Sequence, residues 1–150
     1  MTTMTEQATQ VYSVFIRATP EQVWDGITKP EFTTRYFHGT KIDSTFEPGA
    51  PYLSVAGGET VVDGEVLESD PPRMLKHTWR ALYDPETASE PFSRVTWEIE
   101  PQEGGVTKLT VTHDQLEAAP KTAASVAGGW SYVLSGLKTL LETGEPLEST

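Results

Sequence analysis

At 150 residues the chain is one domain of ordinary size, long enough to bury a core without disulfide staples. It contains no cysteine, which excludes disulfides, thiolate metal ligands and cysteine nucleophiles. A formal charge of −11 speaks against nucleic acid and anionic lipid as partners, and no apolar run approaches the roughly 18 residues of a membrane span.

Residues 1–9 read as a polar tail. MTTMTEQATQ has neither the basic nor the apolar region of a secretion signal, which makes the cytoplasm the expected location. Gln10–Arg17, rich in β-branched and aromatic residues, is the first expected strand. Thr19-Pro20-Glu21-Gln22 then carries a helix start: a Thr cap, Pro at the first helical position and Gln three residues after the cap. Val23, Trp24 and Ile27 form its apolar side. Lys29-Pro30 breaks it, and Glu31–Phe37 makes a second short helix with Phe32, Tyr36 and Phe37.

Six further strands are expected at Thr40–Thr45, Tyr52–Ala56, Thr60–Glu68, Met74–Arg80, Arg94–Glu100 and Thr107–Asp114. They are punctuated by Pro48-Gly49, Gly57-Gly58, Asp70-Pro71-Pro72 and Gly104-Gly105. The last three alternate most regularly. Leu75, His77, Trp79, Val95, Trp97, Ile99, Leu109, Val111 and His113 share the covered face, and the intervening charged residues and threonines share the wet one. Hairpin registers that keep this parity set Ile99 opposite Leu109, Trp97 opposite Val111 and Val95 opposite His113. Across the longer Ala81–Phe92 connection they set His77 beside Trp97 and Trp79 beside Val95. That connection is either a lid or a long hairpin loop.

Lys121–Gly144 reads as one long helix. Val126, Trp130, Val133, Leu134, Leu137, Leu140 and Leu141 fall on one face, with Gly144 as the stop. Gly128 and Gly129 interrupt the propensity at about 1 kcal/mol each. They point to close backbone approach or to room left for something else. The order strand, two short helices, six strands, long helix gives an α+β fold: a seven-stranded curved antiparallel sheet around the C-terminal helix. One domain spans 10–147, with 148–150 as a second short tail.

In Thr19-Pro20-Glu21-Gln22-Val23-Trp24-Asp25, Asp70-Pro71-Pro72-Arg73, Thr78-Trp79, Val95-Thr96-Trp97-Glu98, Thr107–His113, Gly128-Gly129-Trp130-Ser131 and Leu134–Gly144, the chain resembles the Bet v 1/START-like superfamily. Within it the likeness is to bacterial homologues of the Hsp90 ATPase activator's C-terminal domain. The resemblance implies a helix-grip fold with an apolar cavity between the sheet and the long helix. Relatives include lipid and hormone binders, cyclases and chaperone partners, so fold alone does not choose a function.

Trp79, Trp97, Trp130 and Leu134, with Val95, Val111 and Phe37, are the expected apolar lining. His77, His113 and Tyr132 are the expected polar contacts. The same histidines also read as satisfied core residues. No catalytic acid–base pair stands out. No cofactor is expected, and His38, His77 and His113 make a poor metal site, because an intervening strand keeps His77 and His113 about 10 Å apart. The leading reading is non-catalytic binding of a small apolar or aromatic molecule. The alternatives are an Hsp90-interacting module and a cyclase or hydrolase using a pocket histidine.

Overall fold

The first helix begins where its capping residues require. The computed structural model describes residues 8–147, so tail residues 1–7 and 148–150 lie outside it. After strand β1 (Gln10–Ile16), the Gln22 N–H donates to Thr19 Oγ1 and the Thr19 N–H donates to Gln22 Oε1, closing a capping box ahead of helix α1 (Pro20–Thr28). Helix α2 (Pro30–Tyr36) follows at once, with Pro30 opening it. Ala8, within the expected tail, is buried, and its carbonyl accepts from the Leu116 N–H.

The remaining strands are β2 (Lys41–Asp43), β3 (Pro51–Ala56), β4 (Glu59–Asp70), β5 (Met74–Ala81), β6 (Ser93–Pro101) and β7 (Thr107–Asp114). They form one seven-stranded sheet in the order β1-β7-β6-β5-β4-β3-β2, every pairing antiparallel. The β6–β7 register matches expectation: Ile99 faces Leu109, Trp97 faces Val111, and Val95 faces His113. The β5–β6 register differs by two residues. Leu75 faces Trp97, His77 faces Val95, and Trp79 faces Ser93. A period of two fixes which face a side chain takes but not which same-face residue it meets. Here the connection contains a helical turn, α3 (Pro85–Ala88), that a plain hairpin lacks.

The wet face is laced with ion pairs. Arg80 grips Asp63, and Arg94 grips Asp114, each through two nitrogens. Gly64 sits where β4 comes close to β5: a Cβ there would lie 2.0 Å from the Thr78 carbonyl oxygen. Gly64→Ala is therefore expected to destabilise by about 3 kcal/mol through forced strand displacement. A urea midpoint unchanged from wild type would refute that close approach.

The predicted long C-terminal helix is two helices, α4 (Pro120–Val126) and α5 (Gly129–Thr143). Ala127 is extended and Gly128 is left-handed at φ 80°, which breaks the helix between them. A Cβ at either Gly128 or Gly129 would meet nothing within 4 Å, so the pair serves a break and not a close approach. Val126 at the end of α4 and Trp130 at the start of α5 are both buried, so the apolar spacing runs on across the interruption. Trp130, Val133, Leu134, Leu137 and Leu140 then bury one face of α5 in the main core, and Gly144 caps it with an N–H to the Leu140 carbonyl. Leu116, Ala119 and Ala123 make a small separate cluster at α4.

Candidate functional site

The centre of the covered face is filled by indoles. Trp97 and Trp130 meet edge to face at 5.5 Å, Trp79 lies 5.6 Å from Trp130, and Phe37 lies 5.9 Å from Trp130. Such pairs add about 0.5–1.5 kcal/mol each beyond buried area. Two of the indoles bring their own acceptors. Trp97 Nε1 donates to His77 Nε2 at 3.0 Å, and Trp130 Nε1 donates to His113 Nδ1 at 3.0 Å.

Those bonds decide the histidine tautomers, because an indole can only donate. His77 carries its proton on Nδ1 and gives it to the Thr78 carbonyl at 2.9 Å. His113 carries its proton on Nε2 and donates it to Ser93 Oγ at 2.7 Å, and the Ser93 hydroxyl donates in turn to the Trp79 carbonyl. Both rings are neutral with both nitrogens engaged. Burial pushes His77 down to about 4, against a smaller opposing effect from the Thr78 carbonyl. Burial and then the neighbouring His77 push His113 down to about 3. Tyr52 stacks on His77 at 3.7 Å, completing the layer.

Beside this layer, toward β3 and β4, lies a cavity of about 340 Å³. That is at the small end of the range of ligand pockets. Phe37, Trp79, Trp130 and Val133 supply its apolar and aromatic wall, and Val61, Val62 and Ala56 extend it along the sheet. Thr40, Ser54, Tyr83, Ser125 and His38 are its polar members, and among the described residues no Asp, Glu, Lys or Arg lines it. Among buried side-chain polar atoms, Ser54 Oγ and Trp79 Nε1 have no hydrogen-bond partner among the described residues.

The family model described as activator of Hsp90 ATPase homolog 1-like protein matches residues 17–142. The chain belongs to this family. Among solved structures, protein MLL2253 from Mesorhizobium loti is 26% identical, with a TM-score of 0.73 over 89% of this chain and 96% of that one. CalU16 from Micromonospora echinospora is 21% identical with a TM-score of 0.70, over 91% and 77% of the two chains. PFC0360w, an Hsp90 activator from Plasmodium falciparum, is 20% identical with a TM-score of 0.72, over 93% and 98%. No curated protein sequence matches the chain. The helix-grip architecture expected of the family is therefore the fold observed.

In this family member the expected site residues divide into two sets. Trp79, Trp130 and Phe37 line the cavity. Trp97, His77, His113, Val95, Val111 and Leu134 do not. They are fully buried in the adjoining packed layer, because three close-packed indoles leave no space there. Tyr132 faces away. It is 40% exposed, stacks on His38 at 6.5 Å, and borders a separate groove with Arg35 and Leu147. Among the described residues no three His, Asp or Glu side chains gather as a metal site needs. No described helix is long and apolar enough to cross a membrane.

The wall residues that sequence reasoning missed come mainly from β3, β4 and α4. Ser54 had a readable signal: it alternates with Tyr52 and Ala56, which puts a serine on a covered face. The Ala81–Phe92 connection is bound to α4 at several points. Tyr83 Oη and Ser125 Oγ are 2.8 Å apart, both on residues of the cavity wall. Glu90 accepts from the Lys121 and Thr122 N–H groups and the Thr122 hydroxyl, capping α4. Burial opposes ionisation of Glu90, but these donors outweigh it and hold the carboxyl below its ordinary range.

Proposed function

We propose that this chain binds a small apolar or aromatic molecule, without chemical conversion, in the cavity between β3–β5 and the α4–α5 corner. The observation that carries this reading is the cavity wall: aromatic side chains from Phe37, Trp79 and Trp130, and no Asp, Glu, Lys or Arg among the described residues. Trp79 and Trp130 supply an intrinsic reporter. A panel of lipids, sterols and polyphenols is expected to contain members that quench tryptophan fluorescence and raise the melting temperature. Saturation at 100 times Kd stabilises by about 2.7 kcal/mol. Ala56→Trp, which puts bulk into the wall, is expected to abolish the shift with the fold retained. No response from any class in the panel would remove the binding reading. We place the binding in the cytoplasm.

The second reading, an Hsp90-interacting module, is supported by family membership and by the exposed Val11 and Phe15 on the edge strand β1. Pull-down and ATPase stimulation with the Hsp90 of the source organism test it, and no effect in either assay would sink it. A cyclase or hydrolase has less support, because His77 and His113 have both nitrogens committed to the core.

A further inference from the structure

We propose that the cavity's occupant is an uncharged aromatic molecule bearing a carbonyl or ether oxygen, which accepts from Trp79 Nε1 and engages Ser54 Oγ. This rests on the binding reading above and adds the chemistry of the ligand. Four buried side-chain polar atoms lack a partner among the described residues. Thr33 Oγ1 and Tyr52 Oη belong to residues outside the cavity wall, whereas Ser54 and Trp79, which carry the other two atoms, are residues of the wall. The contrast with the other two core indoles is informative. Trp97 and Trp130 each have a histidine acceptor, while Trp79 lies near His113 edge to face at 5.7 Å and donates to nothing among the described residues.

Elementary hydrogen-bond chemistry turns these orphans into a requirement. A buried donor left unmade carries its full desolvation penalty, and an indole N–H can be relieved only by an acceptor. The ligand must therefore bring an oxygen or nitrogen lone pair to Trp79. The Ser54 hydroxyl can donate to such an atom or accept from a hydroxyl beside it. The charge of the ligand follows from the rest of the wall. Among the described residues no Lys or Arg is there to pair a carboxylate and no Asp or Glu to pair an amine, and His38, the one titratable ring in the wall, is exposed beside Tyr132, so an ionised ligand deeper in the cavity would be desolvated without compensation. The ring faces of Trp79, Trp130 and Phe37 favour a planar body.

Three rigid tricyclic probes separate the possibilities by calorimetry or tryptophan quenching. Fluorene has the body without the oxygen, fluorenone adds a carbonyl, and fluorene-2-carboxylate adds a charge. Fluorenone is expected to bind about tenfold more tightly than fluorene, and the carboxylate more weakly than either. Ser54→Ala, which removes only the hydroxyl, and Trp79→Phe, which removes the donor, are each expected to shrink the fluorenone-to-fluorene ratio toward one. Ser54→Ala relieves an orphan, so the ligand-free variant is expected to be at least as stable as wild type and remains usable if Trp79→Phe does not fold. Equal wild-type affinities for fluorene and fluorenone, or a ratio untouched in Ser54→Ala, would overturn the anchoring role while leaving the binding reading standing. Failure of all three probes to bind, while a lipid or sterol of the panel still responds, would overturn the aromatic ligand and leave the binding reading standing.

Discussion

Trp130→Ala is expected to destabilise the protein by about 3–5 kcal/mol. The indole is 3% exposed and sits at the junction of three things. It packs against Phe37, Trp79 and Trp97, closes one side of the cavity, and donates the hydrogen bond that holds His113 in its tautomer. Alanine would merge the indole's volume with the neighbouring cavity, a void the rigid sheet cannot collapse. It would also leave His113 Nδ1 without its donor, adding a penalty of about 1–3 kcal/mol where water does not enter. Trp130→Phe separates the two contributions, since it keeps much of the ring packing and loses only the N–H. Urea denaturation measures both. A loss below 1 kcal/mol for Trp130→Ala with the fold intact would mean that the indole lines loosely filled space and that the central layer is not close-packed as described.

How far the sequence could be read depended on which physical signal each feature carries. The capping box of Thr19 and Gln22 is a local device, complete within four residues, and it was legible. So was the β6–β7 register, because a short turn and strict alternation leave one parity-conserving alignment close to hand. The β5–β6 register was not, because Pro85–Ala88 takes up chain in a helical turn that alternation does not detect. The break at Gly128 was hidden for a related reason. Burial of Val126 and Trp130 keeps the apolar spacing continuous while Ala127 and Gly128 leave helical geometry. The glycine pair was the signal, and the left-handed backbone of Gly128 was the correct physical account.

The site itself was half legible. That Trp79 and Trp130 face inward follows from alternation and helical spacing. That Trp97 and the two histidines form a solid layer, with the cavity displaced toward Ser54 and Val62, depends on side-chain volumes meeting across seven strands. Pattern reasoning has no access to that sum. It did place His77 and His113 on the covered face, and from that placement alone a depressed basicity follows.

That depression leads to the second large effect, a loss of stability in mild acid. In the unfolded chain a histidine titrates near 6.5. In the folded protein His77 titrates at about 4 and His113 at about 3, lowered first by burial. The unfolded state therefore takes up protons that the folded state refuses, and stability falls as pH drops below 6.5. It is fully present above that value and keeps falling until the folded-state values are reached. The pairing geometry sets the same direction independently of the numbers. Protonating His77 would put a proton on Nε2 against the Trp97 N–H, and protonating His113 would put one on Nδ1 against the Trp130 N–H. Each ring would have to surrender its indole partner to become charged. Asp114 lies in the direction that favours the charged form of His113, but it is bound to Arg94 and its effect is the smallest of those acting. At about 1.4 kcal/mol per pH unit for each histidine below 6.5, the pair is expected to lose roughly 3–4 kcal/mol between pH 7 and pH 5. That is a large share of a typical domain's 5–15 kcal/mol. The window also lies above the range in which Glu90 and Glu142, both held below the ordinary carboxylate value, begin to titrate. Urea midpoints at half-unit pH steps would trace the slope, and imidazole NMR signals would follow the rings themselves. Both rings should stay neutral at pH 5 in the folded protein. Titration of either above pH 6 with its Trp–His hydrogen bond intact would contradict the tautomers assigned to this core.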